Sequence, residues 1–222
     1  ALTLTRPLLE SARAARPALA ALTDGEKADL LSAMADCLVG DTDAILAAKA
    51  KDLAAARDTI SPVMLDRLRL TRERILDMAQ GMVSVARLPD PVGKVLATRT
   101  LPNGLDLRKV SVPLGVIAII YESRPNVTSD AVSLTLRAGS VCVLRGGKES
   151  IHSNTAIVAA LHRALDARGL PRALVSLVTD TSRASANELM QAVGYIDLLI
   201  PRGGASLIRR VVDSARVPCI QT

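Results

Sequence analysis

Two short runs pair glycines with arginine or lysine, a combination suited to binding phosphate groups. The first run is Arg145, Gly146, Gly147 and Lys148, and the second is Pro201, Arg202, Gly203 and Gly204. Each run follows an apolar stretch and opens an apolar-periodic segment, which places it at a strand-to-helix junction. Glycine lets the backbone approach a ligand, a helix N-terminus attracts anions, and the basic side chains add positive charge. Two such turns in one α/β unit predict a polyanionic ligand, most simply a phosphorylated nucleotide.

The two turns do not match the stricter phosphate-binding fingerprints. Neither fits GxGxxG or the Walker A pattern, and a single Gly-Gly after a strand occurs in many α/β proteins. The repetition, with arginine beside each glycine pair, strengthens the prediction. No acidic residue stands where a Rossmann fold would hold a ribose, whereas a basic residue there suits a 2′-phosphate. Lys148 is therefore the candidate for selecting NADP(H).

A polar loop at residues 121–126 follows a wholly apolar stretch and is the third candidate region. Arg124 has the fork of donors that grips a carboxylate or a phosphate. Asn126 carries an amide that can donate to a developing oxyanion. The alternative is ordinary turn chemistry, in which Asn126 or Thr128 caps the next helix. The residues alone leave both interpretations open.

The other chemistry-bearing residues do not form a recognisable site. His152 and His162 stand alone, although His152 opens a helix and could contact a phosphate. No cluster has metal-ligand spacing, so we predict no metal, and no residue set suggests a catalytic triad. Cys37, Cys142 and Cys219 are odd in number and far apart, which argues against a disulfide framework and favours a reducing compartment. The residues thus predict a phosphate-binding α/β domain without a complete catalytic apparatus.

The composition limits the class of protein. The 222 residues are 49% hydrophobic and 23% charged, which is typical of a globular protein of one or two domains. A net charge of +6 indicates an anionic partner. A basic nucleic-acid-binding module is a remote alternative, because the charges are scattered and stacking aromatics are nearly absent. No signal peptide or membrane-length apolar run is visible, so we expect a cytoplasmic protein with no membrane and no nucleic-acid partner.

Helical periodicity dominates residues 1–94. Thr23 and Glu26 form a capping box, Ser61-Pro62 is an N-cap followed by proline, and Thr71 begins a further helix. Residues 95–112 alternate apolar and polar positions around a turn at residues 102–104, which predicts a projecting β-hairpin. Hairpins of this kind often pair with another chain, so we expect oligomerisation through it.

Residues 113–222 alternate between strand-like and helical patterns. The predicted strands cover residues 115–120, 141–144, 174–178, 196–200 and 217–220, and the predicted helices cover about 129–138, 151–167, 183–193 and 204–215. Continuous Val/Ile/Leu strands indicate a parallel sheet buried on both faces, hence a doubly wound dinucleotide-binding α/β domain. Such sheets bind ligands at the carboxyl ends of their strands, where both glycine pairs and residues 121–126 fall.

Four long motifs, in the same order, resemble the gamma-glutamyl phosphate reductases, a family of the aldehyde dehydrogenase superfamily. They are residues 112–117 (VPLGVI), 121–128 (YESRPNVT), 144–154 (LRGGKESIHSN) and 200–210 (IPRGGASLIRR). The resemblance implies an aldehyde-dehydrogenase-like α/β fold. It further implies NADPH-dependent reduction of L-glutamyl 5-phosphate to L-glutamate 5-semialdehyde in proline biosynthesis. A homo-oligomer and an association with glutamate 5-kinase are the partners it implies.

The resemblance also implies roles for individual residues. Asn126 corresponds to the oxyanion-hole asparagine and is the predicted catalytic residue. The predicted cofactor-binding residues are Glu122, Ser123, Arg124, Pro125, Arg145, Gly146, Gly147, Lys148, Pro201, Arg202, Gly203 and Gly204. The Arg145 turn corresponds to the adenosine-phosphate end of the cofactor and the Arg202 turn to the pyrophosphate end. Arg124 alternatively holds the glutamyl carboxylate, the leaving phosphate or only its own loop.

One feature departs from the family pattern. The family's catalytic cysteine lies in a C-terminal catalytic domain, and none of Cys37, Cys142 and Cys219 lies in its nucleophile motif. We therefore expect that domain to be absent from this chain. We also expect the chain alone to bind nucleotide weakly or not at all, and to be inactive. Another NAD(P)-dependent aldehyde or acyl-phosphate dehydrogenase is the alternative within this fold.

Overall fold

The computed structural model describes residues 2–56 and 68–221. The described part of the first 94 residues is helical, as predicted, and contains α1 (Arg6–Ala20), α2 (Asp24–Gly40), α3 (Thr42–Ala56) and α4 (Arg72–Ala86). The capping box of α2 is confirmed, because the Thr23 hydroxyl accepts from the Glu26 amide while the Glu26 carboxylate accepts from the Thr23 amide. Thr71 likewise accepts from the Arg74 amide at the start of α4. The predicted Ser61-Pro62 cap lies outside the described residues.

The hairpin is confirmed and stands clear of the rest of the described chain. It consists of β1 (Val95–Thr100) and β2 (Asp106–Val110), paired antiparallel. All eleven strand residues are exposed, so neither face of the hairpin is covered by the described residues. Leu96, Leu105 and Leu107 are among the exposed apolar side chains.

The α/β part contains a four-stranded parallel sheet. Its elements are β3 (Val116–Tyr121), α5 (Asn126–Arg137), β4 (Val141–Arg145), α6 (Ile151–Asp166), β5 (Val175–Leu177), α7 (Arg183–Gln191), β6 (Leu198–Arg202) and α8 (Ala205–Ser214). The strand order is β5-β4-β3-β6, with every neighbouring pair parallel. All six residues of β3 are buried, because the strand is central and covered on both faces.

The prediction of a fifth strand over residues 217–220 is wrong. This segment makes a single parallel bridge, between Leu199 and Cys219, on the outer side of β6. The Leu199 amide donates to the Pro218 carbonyl, but Pro218 has no N–H to continue the ladder. An apolar run was therefore not sufficient to make a strand at this edge.

The buried apolar side chains form one continuous core. It joins α1, α2 and α4 to the sheet and to the helices α5 and α6. Leu30, Leu31 and Met34 of α2 and Ile75 and Met82 of α4 are almost completely buried, as their helical spacing predicts. The helical segment thus packs against the sheet domain. This packing fixes the position of the start of α4 relative to the carboxyl end of β3.

Candidate functional site

The three predicted loops meet at one edge of the sheet. Strand β3 lies between β4 and β6, with Ile120 paired to Arg145 and Tyr121 paired to Arg202. The chain moves outward from β3 to β4 and β5, then returns to the other side of β3 with β6. The crevice between β3 and β6 is therefore a topological switch point, the place where open α/β sheets bind ligands.

Asn126 is the first residue of α5, and its side chain is exposed at this edge. The helix is preceded by Pro125, and no side chain caps it, so Asn126 is not a cap. Thr128 is not a cap either, because its hydroxyl is buried in a hydrogen bond with the Tyr121 hydroxyl at 2.7 Å. The Asn126 Nδ2 atom donates to Asp130 Oδ2 at 3.4 Å, one helical turn further on. Neither residue therefore caps α5, although Pro125 and Asn126 do lie in a turn that is closed by the Val127 amide donating to the Arg124 carbonyl at 3.0 Å. The Asn126 side chain is exposed, so a ligand can reach its amide.

The other residues of the 122–125 loop divide into buried and exposed members. Ser123 and Pro125 are buried, and the Ser123 hydroxyl donates to Glu149 at 3.1 Å. The Arg124 side chain is exposed, while its backbone amide donates to the Glu122 carbonyl at 2.6 Å. The exposed Arg124 guanidinium is thus available to an anion at this edge, and its role as a cofactor or substrate contact stays a prediction.

The Arg145 guanidinium is mostly engaged within the chain. Its Nη2 atom donates to the carbonyls of Thr181 at 2.6 Å and Ser182 at 2.8 Å, which holds the loop before α7. Burial lowers the pKa of this guanidinium, against the opposing charges of Asp180 and Glu149. The Nε atom is buried and is without a hydrogen-bond partner among the described residues. The Nη1 atom donates to the Gly146 carbonyl at 3.2 Å, so Arg145 does not present a ligand with a free fork of donors.

The glycines of the first turn are explained by packing inside the chain. A Cβ on Gly146 would lie 2.2 Å from Asn154 Nδ2 and 3.1 Å from the Tyr121 ring. A Cβ on Gly147 would lie 2.9 Å from the Glu149 carboxylate. Both glycines are buried, whereas Lys148 is exposed. Their cofactor contacts remain predictions, and Lys148 is the member of this turn whose side chain can meet a phosphate.

A buried hydrogen-bond network links this turn to α5, and sequence reasoning missed it. Tyr121 contacts Thr128, Thr128 donates to Asn154 at 3.1 Å, and Asn154 donates to Ser150 at 3.1 Å. The Ser150 hydroxyl then donates to the Gly147 carbonyl at 3.3 Å. Burial raises the pKa of the Tyr121 phenol, which keeps it neutral and able to donate. The network holds the Asn126 helix and the Lys148 turn in a fixed relation.

The carboxylate of Asp52, on α3, already binds the N-terminus of α6. Asp52 is 3% exposed and accepts from the His152 amide at 3.0 Å and from the Ser153 amide at 2.7 Å. The Ser153 hydroxyl donates to it at 2.6 Å. His152 itself is exposed. Nothing in the local sequence signals this cap, because Asp52 lies about a hundred residues before the helix that it binds.

The N-terminus of α8 is also bound to a carboxylate. Glu122 Oε2 accepts from the Gly204 amide at 3.0 Å, and the Glu122 amide donates to the Arg202 carbonyl. A Cβ on Gly203 would lie 2.7 Å from Glu122 Cδ. Pro201 is buried in β6, whereas Arg202, Gly203 and Gly204 are exposed. Glycine at position 203 therefore makes room for the Glu122 side chain.

The described residues contain no group of three or more His, Cys, Asp or Glu side chains placed to hold a metal ion. Among the same residues, no helix combines the length and the apolar character needed to cross a bilayer.

Comparison with known proteins places this chain in a family. Residues 5–218 match the model of the aldehyde dehydrogenase family.

The chain belongs to the aldehyde dehydrogenase family.

Membership of the aldehyde dehydrogenase family implies a nicotinamide cofactor. The prediction of an aldehyde-dehydrogenase-like α/β fold is confirmed, as is the predicted resemblance to gamma-glutamyl phosphate reductases.

Several relatives carry the name gamma-glutamyl phosphate reductase. The protein of that name from Streptococcus suis is 52% identical over 221 residues, which are 100% of this chain and 54% of the relative. The Streptococcus pneumoniae serotype 19F protein is 51% identical over 213 residues, 96% of this chain and 51% of the relative. The chain therefore spans about half the length of the curated relatives it matches.

Solved structures extend the same similarity to three dimensions. The crystal structure of gamma-glutamyl phosphate reductase from Thermotoga maritima matches with a TM-score of 0.96 and 36% identity. The match covers 99% of this chain and 53% of that one. The Saccharomyces cerevisiae enzyme of the same name matches with a TM-score of 0.90 and 31% identity, over 99% of this chain and 56% of that one.

Two of the three cysteines, Cys37 and Cys142, are unsuited to serve as the aldehyde dehydrogenase nucleophile. Cys142 lies within β4 and is fully buried, and burial raises the pKa of its thiol to about 12. Cys37 lies on α2, and burial also raises the pKa of its thiol. Cys219 lies on the outer side of β6, in the isolated bridge with Leu199. A reactive thiolate needs a lowered pKa and access to substrate, so Cys37 and Cys142 are unsuited to the role.

Proposed function

We propose that the protein carrying this chain reduces L-glutamyl 5-phosphate to L-glutamate 5-semialdehyde with NADPH, and that this chain supplies the cofactor-binding half. The observation that carries the proposal is the 52% identity to a gamma-glutamyl phosphate reductase over the whole chain. Fold similarity alone would not support a substrate, because one fold hosts many activities.

At the carboxyl edge of the sheet, side chains rather than helix N-termini are available to the phosphates of a dinucleotide. Lys148 and Arg202 present exposed positive side chains on either side of the β3 loop, and Arg145 Nε is a buried donor without a described partner. The N-termini of α6 and α8 instead bind Asp52 and Glu122. We therefore assign the phosphate contacts to side chains, with Lys148 at the 2′-phosphate and Arg202 at the pyrophosphate.

Asn126 is the residue of this chain that acts on the reacting group. Its amide is exposed at the switch-point edge and donates to an oxyanion as the acyl carbon is attacked. Pro125 and the buried Tyr121–Thr128 hydrogen bond fix the start of its helix. When bound, NADPH supplies the hydride. We expect the attacking thiolate to come from the part of the protein that the relatives have beyond the matched half.

The same proposal includes three further properties of the complete protein: oligomerisation, association with glutamate 5-kinase and a cytoplasmic location. The fully exposed hairpin, with Leu96 and Leu107 more than half exposed, supports a partner surface for a second copy. Sedimentation of the complete protein, with and without the hairpin residues 95–110, tests whether the assembly depends on it.

The test of the activity uses the complete protein that contains this chain. Glutamate 5-semialdehyde is mixed with NADP+ and varied phosphate, and NADPH formation is recorded. The proposal predicts reduction of NADP+ that requires phosphate and is faster than with NAD+. A higher kcat/KM for another aldehyde, or activity independent of phosphate, would favour a different aldehyde dehydrogenase.

A further inference from the structure

A cavity of about 330 Å³ lies beside Asn126, between the start of α4 and the start of α5. Two arginines and two aspartates line it together with Asn126: Arg69, Arg74, Asp77 and Asp130. Opposite charges around one cavity are unusual for a phosphate site, because the carboxylates would repel a dianion. They suit a ligand that itself carries both charges.

The positive side of the cavity is a cluster of basic residues. An Arg74 guanidinium nitrogen donates to the Arg69 carbonyl, which ties the two residues together. Lys49 donates to the neighbouring Leu70 carbonyl at 2.7 Å. Burial lowers the pKa of Lys49, and the charges of Arg69 and Arg74 lower it further. Lys49 thus lies close enough to Arg69 and Arg74 for their charges to act on it, which gathers three basic groups on this side of the cavity.

The negative side is Asp130, which lies one helical turn after Asn126. It is half-buried, and burial raises the pKa of its carboxyl, while Arg202 and the Asn126 hydrogen bond lower it. A carboxylate that is partly shielded from water gains most from a cation placed against it. Asp77, on α4, is exposed at the same cavity.

We propose that this cavity binds the zwitterionic head group of an α-amino acid substrate. Arg69 and Arg74 hold the α-carboxylate, and Asp130 accepts a hydrogen bond from the α-ammonium. The inference rests on the proposed function, in which the substrate is a glutamyl compound. Two methylene groups separate the glutamyl α-carbon from the reacting carbonyl, and this spacing lets one molecule occupy the cavity and present its carbonyl to Asn126.

The test compares two aldehydes of equal chain length in the complete protein. Glutamate 5-semialdehyde carries the α-ammonium, whereas 5-oxopentanoate has the carboxylate without it. We expect Asp130→Asn to lower kcat/KM about tenfold or more for the amino aldehyde and little for 5-oxopentanoate. Arg69→Gln and Arg74→Gln should each lower kcat/KM about tenfold for both aldehydes. Glutamate 5-semialdehyde cyclises in solution, which lowers the concentration of the open-chain aldehyde. Each variant is therefore compared with the wild type on the same aldehyde, so that this effect cancels from the ratio of kcat/KM values.

A second measurement does not depend on turnover. L-Glutamate and glutarate are tested as competitive inhibitors, and Asp130→Asn should remove most of the preference for glutamate. The matched control is Arg72→Gln, because Arg72 is an exposed arginine of the same turn that pairs with Asp43 at 2.6 Å. Its kinetics should equal those of the wild type, and thermal unfolding checks that every variant folds.

Three outcomes separate the hypotheses. If Asp130→Asn weakens both aldehydes and both inhibitors equally, the head-group assignment is overturned, because Asp130 would then act by positioning Asn126. If the arginine variants match the Arg72 control, the carboxylate assignment is overturned. A wild type that does not oxidise glutamate 5-semialdehyde at all would instead overturn the proposed function.

Discussion

The Glu122 carboxylate accepts a hydrogen bond from the Gly204 amide at 3.0 Å, which places a negative charge at the first turn of α8. This is the position that the sequence predicts for the pyrophosphate. Asp52 occupies the corresponding position on α6. A bound dinucleotide must therefore displace these carboxylates or gain its phosphate contacts from side chains such as Lys148 and Arg202.

The first prediction concerns the charge of Glu122. Glu122→Gln keeps the shape of the side chain but removes a charge that repels the pyrophosphate, so we expect NADP+ to bind about two- to fivefold more tightly. The free energy of unfolding should fall by about 0.3–1 kcal/mol, because the anion at the helix N-terminus is lost. Calorimetric titration and urea denaturation of the complete protein measure the two effects.

The control for that change is Glu10→Gln, which alters an exposed carboxylate on α1. It should leave NADP+ affinity unchanged. Weaker NADP+ binding in Glu122→Gln would mean that Glu122 contacts the cofactor directly, through the ribose hydroxyls for example, and would reject the idea of competition.

The second prediction uses the two adjacent glycines as a matched pair. A Cβ on Gly203 would lie 2.7 Å from Glu122 Cδ and 2.9 Å from Leu207 Cδ2, whereas a Cβ on Gly204 would lie 3.8 Å from the Glu122 oxygens. Gly203→Ala should therefore push Glu122 off the Gly204 amide and lower the free energy of unfolding by about 1 kcal/mol. Gly204→Ala should be nearly neutral, since a less flexible unfolded chain offsets a weaker N-cap.

A double-variant cycle makes this prediction sharper. If Gly203→Ala acts through Glu122, its effect should be smaller in a Glu122→Ala background than in the wild type. Equal destabilisation in both backgrounds would show that the clash with Leu207 is the cause.

Much of the fold could be predicted from the sequence because its signals are local. The apolar runs that became β3 and β4 are continuous, and the two members of the capping box, Thr23 and Glu26, are only three positions apart. Residues at the ends of buried strands meet at one edge in any parallel sheet, so grouping Asn126 with Arg145 and Arg202 required no knowledge of strand order.

The parts that could not be predicted depend on contacts between distant residues. Asp52 caps a helix about a hundred residues away, and the pairing of β3 with β6 brings Glu122 to Gly204. Glycine at position 146 suggested a ligand, and the sequence did not reveal that a Cβ there would also clash with the buried Asn154 side chain. Periodicity and spacing contain no information about such partners.

The third prediction concerns Asp52 as the cap of α6. In Asp52→Asn an amide nitrogen replaces an oxygen that accepts hydrogen bonds, so a donor in the His152–Ser153 group loses its acceptor. We expect a loss of about 1–3 kcal/mol in the free energy of unfolding. Hydrogen exchange should accelerate at the amides of residues 152 and 153.

Asp36→Asn, at an exposed position on α2, is the control and should change neither the free energy of unfolding nor the exchange rates. Unchanged exchange at residues 152 and 153 would contradict the capping role.

The fourth prediction concerns pH and Glu188 on α7. Burial raises the pKa of this carboxyl, but the amides and hydroxyls of Thr3, Leu4 and Thr5 donate to it and bring the pKa down to about 2. Because the pKa is lower in the folded state than the ordinary 4.5, the stabilisation is complete above pH 4.5. It is then lost as the pH falls toward about 2. Solvent screening of this partly exposed carboxylate limits its contribution to about 1 kcal/mol.

Thermal unfolding of the wild type and of Glu188→Gln between pH 7 and pH 2.5 checks this sign. The wild type should be more stable at pH 7, and the difference should shrink steadily below pH 4.5. A difference that stays constant with pH would mean that the charge of Glu188 does not hold the N-terminal segment.

The fifth prediction concerns the choice between NADPH and NADH. Lys148 is the exposed cation of its turn, while Arg145 is bound to the carbonyls of Thr181 and Ser182. Lys148→Glu replaces an attraction for the 2′-phosphate by a repulsion, so NADPH binding by the complete protein should weaken about tenfold or more. The affinity for NADH, which lacks that phosphate, should fall much less.

Fluorescence titration gives the dissociation constants of both cofactors. The control is Lys94→Glu, which makes the same change of charge at an exposed position beside the hairpin and should affect neither constant. Equal losses for the two cofactors would assign Lys148 to a phosphate that they share.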